Sequence, residues 1–277
     1  MIMPDLPVTV VVTTLNEECN IARCLQSLEA FNQVYVVDSH STDNTVDIAK
    51  DYGAEVVLYS WDGQYPKKRG WCLEHLDFRY DWVFWVDADE VVPPAVISEL
   101  RQIFSSIPDE DAFFVPSQYV WGGRVLHHGM GNNKIALFHC DKMIFPTVCD
   151  LDIDGMGEIE GHYQPVFKDG FEGKIGCLRS PLLHYAYNDL DKWQERHERY
   201  AVWEASMTKR NAWPEDPVPW RETVKKILRR NALRPYVFFL YSYFFKFGFL
   251  DGRAGYDFAI SRKRYSEMIL RALRRQD

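Results

Sequence analysis

The sequence of 277 residues has little of what marks several common classes of protein. It contains no GxxxxGK[ST] loop and no GxGxxG turn after its first hydrophobic run, which argues against P-loop NTPases and dinucleotide-dependent oxidoreductases. No GxSxG elbow is present, which weakens the case for a hydrolase. Gly and Pro number 16 and 14, close to average usage, so the composition excludes collagen-like and low-complexity disordered chains.

Cysteine is also scarce. The six cysteines are scattered, form no CxxC pair and are joined by no histidine cluster with zinc-finger spacing. They are therefore expected to be reduced thiols of a cytosolic protein, and neither a disulfide framework nor a zinc site is predicted. The N-terminus lacks a charged segment followed by an apolar stretch and a cleavage site, so secretion is not expected.

Positive charge is in the minority, because 32 Lys and Arg stand against 40 Asp and Glu and the formal net charge is -8. This excess of acid argues against a nucleic-acid partner. The charge is unevenly spread: residues 221–277 hold fourteen basic and five acidic residues, whereas residues 1–220 hold eighteen and thirty-five. A basic, aromatic segment therefore follows an acidic body, and the two parts are expected to meet different surroundings.

Four β-branched or aromatic runs alternate with helical patterns over the first hundred residues. The runs cover residues 8–13, 34–37, 55–59 and 82–86. Runs without polar alternation are typical of strands buried on both faces, and the alternation of strand and helix predicts an α/β fold with a mostly parallel sheet. Acids follow the second and fourth runs, and ligands of such folds bind where the strands end.

The sharpest local feature is Asp87-Ala88-Asp89, a DxD tripeptide that directly follows the run WVFWV. Two carboxylates on alternate residues can hold one divalent cation, and Mg²⁺ and Mn²⁺ prefer such oxygen ligands together with substrate phosphates. The tripeptide alone is frequent in surface loops, so its position after a buried strand is what favours a Mg²⁺ or Mn²⁺ site.

Five segments together carry a resemblance to a known family. They are VTVVVTTLNEECNIARCLQSL, VYVVDSHSTDNTVDIAKDYGAEVV, KKRGW, WVFWVDADE and LLHYAYNDLDKWQERHERYAVWEA. They resemble the inverting glycosyltransferase family 2, and the last segment is most similar to its bacterial transferases of lipopolysaccharide core and cell-surface polysaccharide. The resemblance implies a GT-A fold, which is a Rossmann-like mixed, mostly parallel sheet flanked by helices.

The resemblance also implies roles for individual residues. Those expected to bind the nucleotide sugar are Thr13, Leu15, Glu17, Asp38, Ser41, Lys68 and Asp87. Asp38 would accept a hydrogen bond from the imide of uracil, which makes UDP-sugars the expected donors. Asp89, with Asp87 and His184, would hold the divalent cation, while a structural histidine in its strand is the alternative interpretation of His184.

An inverting transfer needs a general base that removes the proton of the acceptor hydroxyl. The segment GMGEIEGHYQP offers Glu158, Glu160 and His162, of which Glu160 is favoured and Glu158 comes second. The alternative interpretation is that these acids are solvated loop residues, because Asp and Glu are mostly exposed.

A hairpin with a Gly122-Gly123 turn is predicted in the segment AFFVPSQYVWGGRVL. It and the residues after it carry Trp121, Arg124 and His128, which are candidates for binding the acceptor, since aromatic faces contact sugar rings and cations meet acidic groups. A hairpin with an exposed polar tip is the alternative.

The C-terminal segment contains the run PYVFFLYSYFFKFGFL, which includes Lys246 and falls short of the about 20 apolar residues of a spanning helix. Basic clusters flank the run, and aromatic rings beside cations suit lipid headgroups. The predicted organisation is a catalytic domain over residues 1–210 with nucleotide-sugar (1–105) and acceptor (106–210) halves. A linker (211–220) and a helical membrane-associating extension (221–277) follow. A helical cap or an oligomer interface is the alternative for the extension.

The prediction for the chain is an inverting, metal-dependent glycosyltransferase that moves a sugar from a nucleotide sugar to a lipid-linked saccharide, polysaccharide or lipopolysaccharide-core acceptor. It is expected to be cytoplasmic and peripheral on the inner face of the cell membrane, bound to an anionic lipid surface. Two alternatives stay open. One is a sugar nucleotidyltransferase, which the acidic, Gly-free loop TTLNEECN disfavours, and the other is a non-catalytic scaffold that binds nucleotide sugars or membranes.

Overall fold

A computed structural model describes residues 6–153, 155–160, 163–186, 190–214, 216 and 218–275. The described chain divides into two compact units. The first consists of the segments Met1–Gln118, Asn132–Phe145 and Pro165–Tyr185, and the second of Tyr119–Gly131, Pro146–Gln164 and Ala186–Asp277. The domain boundaries that the sequence predicts at residues 105, 210 and 220 stay a prediction.

The first unit begins with strands and helices in alternation. Its first four strands are β1 (Val8–Thr14), β2 (Val34–Asp38), β3 (Glu55–Leu58) and β4 (Trp82–Asp87), and its helices are α1 (Ile21–Gln26), α2 (Thr45–Asp51), α3 (Lys68–His75) and α4 (Pro94–Ile103). The four strands are parallel and lie in the order β3-β2-β1-β4. The valines of the central strand β1 are fully buried, as expected of a strand covered on both faces.

The second part of the sheet is largely antiparallel. The remaining strands among the described residues are β5 (Glu90–Val91), β6 (Ala112–Trp121), β7 (Arg124–Val125), β8 (Asn132–His139), β9 (Met143–Ile144), β10 (Val166–Phe167), β11 (Ile175–Cys177) and β12 (Leu182–His184). The sheet continues as β4-β8-β6-β12-β5, with β8 antiparallel to both neighbours. This mixed sheet flanked by helices confirms the predicted fold class.

The second unit contains the predicted hairpin and the C-terminal helices. The turn between β6 and β7 places Gly122 and Gly123 at φ of 54° and 77°, which confirms the hairpin. The helices are α5 (Leu190–Arg210), α6 (Pro219–Arg229), α7 (Arg234–Leu240) and α8 (Gly252–Arg275), with a π-helical turn Tyr241–Phe245 and a 3₁₀ turn Gly248–Asp251 between the last two.

Helix α8 packs against α5 and α7 within this unit. It contributes Phe258, Tyr265 and Ile269 to a buried cluster that also contains Trp193 of α5. The apolar face of α8 is therefore core, which agrees with the alternative of helical packing for this part of the C-terminal extension.

The reversal from α7 to α8 depends on a close backbone approach. A side chain at Gly255 would place its Cβ 1.9 Å from the carbonyl oxygen of Gly248, so only glycine fits there. Phe247 and Gly252 adopt left-handed φ values of 58° and 62° at the two ends of the 3₁₀ turn. Among the described residues, none of the helices combines the length and the apolar character needed to cross a bilayer.

Candidate active site

The carboxyl ends of β1, β2 and β4 bring several predicted site residues together in the first unit. In the sheet register, Thr14 lies opposite Asp38 and Thr13 lies opposite Asp87. Because β1, β2 and β4 run in parallel, the loops that follow them meet at one edge, which is where open α/β sheets bind ligands.

Asp38 at the end of β2 is fully buried and organises the turn that follows it. Its Oδ2 accepts a hydrogen bond from the Thr14 hydroxyl at 2.8 Å, and its Oδ1 accepts one from the Ser41 amide at 2.7 Å. The Ser41 hydroxyl also donates to Oδ2. In this geometry the carboxylate is engaged by protein donors, and its contact with a uracil imide stays a prediction.

The loop after β1 is bound to the loop after β2. The amide of Asn16, which has a left-handed φ of 56°, donates to the Ser41 hydroxyl at 2.7 Å, and the amide of Glu17 donates to the Thr45 hydroxyl at 2.8 Å. Leu15 projects from this loop with about half of its side chain exposed. Leu15 and Glu17 therefore lie at the predicted nucleotide edge on a loop that the second loop holds in place.

Two neighbouring cations of α3 have different surroundings. The Lys68 ammonium is buried and donates to the backbone carbonyl of Thr14 at 3.0 Å. The Arg69 guanidinium instead reaches the carboxylate of Asp87, with 3.0 Å between Nη2 and Oδ1. Of the two, Arg69 is the cation that the structure brings to the DxD tripeptide, and the predicted contact of Lys68 with the nucleotide sugar stays a prediction.

Asp87 belongs to a network of ion pairs that the sequence did not predict. The Lys134 ammonium on β8 lies 2.6 Å from Asp87 Oδ2 and 2.7 Å from Oε2 of the fully buried Glu90. Burial disfavours the ionised carboxylate of Asp87, but Lys134 and Arg69 outweigh it and hold the pKa of Asp87 well below its usual range. Both carboxylate oxygens of Asp87 therefore already accept hydrogen bonds from protein cations.

Asp89 and His184 form the second pair at this edge. The Nε2 atom of His184 lies 3.3 Å from Asp89 Oδ1, because β12 pairs with β5 and places His184 opposite Glu90. Burial disfavours the imidazolium, but the carboxylates, Asp89 first, outweigh it and raise the pKa of His184. Two adjacent ligands of an octahedral cation with bonds of 2.0–2.1 Å lie about 3 Å apart. One oxygen and one imidazole nitrogen at this separation therefore fit a single Mg²⁺ or Mn²⁺ ion.

The protein-family comparison bears on this arrangement. Residues 9–156 match the family model described as glycosyl transferase family 2. The chain belongs to this family. The predicted family is thereby confirmed, and the matched span contains all the proposed donor residues and the DxD tripeptide, but ends before Glu158, Glu160 and His184.

Curated relatives agree with the family. An uncharacterised glycosyltransferase of Rickettsia typhi is 38% identical over 99 residues, which cover 34% of this chain and 32% of that protein. The lipopolysaccharide core biosynthesis glycosyltransferase LpsC of Rhizobium meliloti is 29% identical over 109 residues, covering 38% and 39%. The matched part of the chain spans about a third of the length of these relatives.

A solved structure agrees with the fold. The mannosyltransferase PcManGT from Pyrobaculum calidifontis, in complex with GDP-Man and Mn²⁺, superposes with a TM-score of 0.55 at 13% identity, over 98% of this chain and 88% of that one. At this identity the similarity concerns the fold, and it agrees with the mixed sheet and helices described above.

The remaining predicted residues of this family 2 chain lie in the second unit. Glu158 and Glu160 are half-buried in the irregular segment before β10, outside any strand. Their role as base stays a prediction. His162, the third candidate, lies outside the described residues.

The predicted acceptor residues have different environments. Trp121 is half-buried against the aromatic cluster, with its ring 6.4 Å from that of Phe258, whereas Arg124 is exposed on β7. His128 is held by Asp251: its amide donates to Oδ2 at 2.8 Å, and its Nδ1 lies 3.2 Å from Oδ1. The sequence prediction of an acceptor loop thus falls on a segment that is fixed to the turn before α8.

Arg69, Glu90 and Lys134 are the residues that sequence reasoning missed. Glu90 had a local signal, since it directly follows the DxD tripeptide. Lys134 had a weaker one, because it is the single cation of the otherwise apolar strand segment KIALF. Its pairing with Asp87 arises from the sheet order, which places β8 beside β4.

Proposed function

We propose that the protein is an inverting glycosyltransferase that moves a sugar from a nucleoside diphosphate sugar to an acceptor hydroxyl, with UDP-sugars as the expected donors. The observation that carries the proposal is the pair Asp89–His184 next to the network of Arg69, Asp87 and Lys134 at the end of β4. The family of the chain supports the same reaction.

Asp89 and His184 would hold a Mg²⁺ or Mn²⁺ ion, whose chemistry when bound is to neutralise charge on the diphosphate leaving group. Asp87 has a different task, because Arg69 and Lys134 occupy both of its carboxylate oxygens. We assign to Asp87 the positioning of the Arg69 guanidinium, because the planar guanidinium is a group that suits a phosphate. The loops that carry Thr13, Leu15, Glu17 and Ser41 would bind the nucleoside.

In the transfer itself, a carboxylate removes the proton from the acceptor hydroxyl while the new bond to the anomeric carbon forms. The bond from that carbon to the diphosphate oxygen breaks on the opposite face, so the configuration inverts without a covalent enzyme intermediate. Glu160, and after it Glu158, is our candidate for this base. Both side chains are half-buried, and the choice between them follows the predicted order.

We further propose that the acceptor is a lipid-linked saccharide or a lipopolysaccharide core, and that the protein works as a peripheral protein on the cytoplasmic face of the cell membrane. The similarity to the core transferase LpsC supports the class of acceptor. The excess of basic residues in segment 221–277 supports the location, because each cation near an anionic leaflet contributes about 1 kcal/mol to binding.

The proposal is tested by measuring the melting temperature with UDP- and GDP-sugars in the presence of Mn²⁺, Mg²⁺ or EDTA. A donor that binds the folded state raises the melting temperature by mass action, and the rise should require the cation. Release of nucleoside diphosphate on addition of lipopolysaccharide core is then expected.

Three other outcomes would contradict it. Binding without release of nucleoside diphosphate would indicate a scaffold. Release of pyrophosphate from a nucleoside triphosphate and a sugar phosphate would indicate a nucleotidyltransferase. Full transfer in EDTA would remove the cation from the reaction.

A further inference from the structure

Helix α7 and the π turn that extends it point an apolar face at solvent. The exposed residues are Leu233, Tyr236, Val237, Leu240, Tyr241 and Phe244, all at least about a third exposed. They recur at spacings of three and four residues, which places them on one face of the helix. In a protein surrounded only by water, a helix normally packs its apolar face against the core. The outward orientation of this face of α7 therefore requires a structural explanation.

The opposite side of α7 is fixed by polar contacts. The Arg234 guanidinium is buried and pairs with Glu204 of α5 at 2.9 Å, and the Ser242 hydroxyl is buried and accepts the Met130 amide at 3.1 Å. Glu204 also accepts a hydrogen bond from the Tyr265 hydroxyl of α8. These buried contacts hold α7 with its apolar face outward, because a rotation of the helix would separate Arg234 from the buried carboxylate of Glu204.

Helix α6 likewise exposes an apolar face and buries a charged residue. Trp220, Val224 and Ile227 lie on one face at i, i+4 and i+7, and they are 69%, 46% and 65% exposed. Glu222 on another face is buried and pairs with Arg229 at 2.9 Å. Two successive helices of this unit thus each bury one charged member of an ion pair, Glu222 on α6 and Arg234 on α7, and expose aromatic and aliphatic side chains.

The turn after α7 extends the apolar surface. Phe245 is 75% exposed, and Phe247 and Phe249 are about half exposed with their ring centroids 6.2 Å apart. Tyr243 joins this turn to the helix, because its ring lies 5.1 Å from Phe244 and 6.3 Å from Phe249. We name the exposed apolar residues of segments 220–227 and 233–250 the interfacial surface.

The positive charge around the interfacial surface indicates which partner binds to it. Lys226 on α6 and Arg253 at the start of α8 have side chains that are 62% and 86% exposed, and Lys246 is exposed within the turn itself. Segment 221–277 carries fourteen basic against five acidic residues. A second copy of the chain would bring like charges together, whereas an anionic bilayer accepts both the rings and the cations.

We infer that the interfacial surface inserts into the headgroup region of an anionic bilayer, while α8 remains protein core. The inference deepens the membrane location in the proposed function and does not depend on the transfer reaction. The inference also places the predicted acceptor loop near the bilayer. His128 of this loop binds Asp251, and the Gly129 amide donates to the carbonyl of Lys246 at 2.8 Å, so the loop is attached to the turn that inserts. A loop tied to the inserted turn suits an acceptor that is itself anchored in lipid.

The test is co-sedimentation of the full chain with vesicles of phosphatidylcholine alone or mixed with phosphatidylglycerol. The variant carries Phe244→Ser, Phe245→Ser and Phe247→Ser, and the control carries Leu58→Ser and Ile107→Ser, two exposed apolar residues of the first unit. We expect the triple variant to bind mixed vesicles at least about tenfold more weakly than the parent and control, with an unchanged melting temperature. A second variant, Lys226→Glu with Lys246→Glu, should bind mixed vesicles more weakly than the parent, and added salt should weaken the binding of the parent more than that of the variant.

Equal vesicle binding by parent and triple variant would overturn the inference. So would a parent dimer that the triple variant converts to monomer without any binding to vesicles, because the occupant would then be a second copy. Vesicle binding that depends on the three phenylalanines, in a protein that releases no nucleoside diphosphate from any donor, would uphold the surface and contradict the proposed function. The two failures are therefore distinguishable.

Discussion

The strand region of the first unit and helices α6 and α7 of the second unit place apolar and charged side chains in opposite ways. In the first unit, the valines of β1 are buried, and the charged residues at the strand ends pair around the DxD tripeptide. In α6 and α7 of the second unit, the buried positions hold Glu222 and Arg234, and aromatic rings face outward. The first pattern is what folding in water requires, whereas the second is the observation from which we infer contact with a bilayer.

Both units nevertheless bury ion pairs, and in each unit the pair fixes the position of a different part of the structure. Glu90 and Lys134 fix the carboxylate of Asp87 at the edge of the sheet. Glu204 and Arg234 fix the orientation of a helix. A buried ion pair adds little net stability, so its value lies in selecting one arrangement over others.

The largest effect is expected at Asp89. Asp89→Asn keeps the shape of the side chain but removes the charge that the proposed cation requires, so Mn²⁺ binding should weaken and transfer should fall on the order of a thousandfold. Release of nucleoside diphosphate and calorimetric titration with Mn²⁺ measure the two consequences. Asp109→Asn, at an exposed acid of the same unit, is the matched control. Parent-like Mn²⁺ affinity in Asp89→Asn would remove this residue from the cation site.

The next effect concerns the buried network of the first unit. Lys134→Met leaves the carboxylates of Asp87 and Glu90 without their shared cation, and the free energy of unfolding should fall by about 3–5 kcal/mol. Urea denaturation measures the loss. Adding Glu90→Gln to the variant removes one of the two charges and should restore part of the stability. A loss below about 1 kcal/mol would mean that water or relaxation of the chain replaces the ammonium.

Much of the first unit could be predicted from sequence because its signals are local. Strands β1 to β4 are continuous apolar runs, and Asp38, Asp87 and Asp89 end them or follow directly. Arg69 and Lys134 could not be assigned in this way. Lys134 meets Asp87 across 47 positions of the chain, and only the antiparallel return of β8 beside β4 brings the two together.

The second unit was less predictable for a different reason. Composition indicated an aromatic, basic C-terminal extension, but it could not tell which apolar faces would be buried. Phe258 in α8 is core and Phe245 is exposed, although both are phenylalanines within the same basic segment. The difference arises from tertiary contacts. Helix α8 packs against α5, whereas the ion pair of the buried Arg234 with Glu204 orients α7 with its apolar face outward.

A smaller effect tests the polar interior of the second unit. Tyr265→Phe removes the hydroxyl that donates to the buried Glu204, the carboxylate that also pairs with Arg234. The free energy of unfolding should fall by about 1–2 kcal/mol, because one hydrogen bond to a buried charge is lost. Urea denaturation measures it, with the exposed Tyr52→Phe as control. An unchanged stability would show that Tyr265 does not support the orientation of α7.

The smallest effect on stability is expected at an exposed residue of the interfacial surface. Ile227→Ser on α6 should change the free energy of unfolding by no more than about 0.5 kcal/mol, since the side chain is already 65% exposed to water in the folded protein. The same substitution at the fully buried Ile21 of α1 removes core packing and buries a hydroxyl in an apolar environment, so the free energy of unfolding should fall by several kcal/mol. If urea denaturation gave similar losses for both, the apolar face of α6 would contribute to folding as α1 does, and the contrast between the two units would fail. If only Ile21→Ser destabilises the protein while Ile227→Ser weakens binding to anionic vesicles, the apolar residues of α6 serve the membrane and not the core.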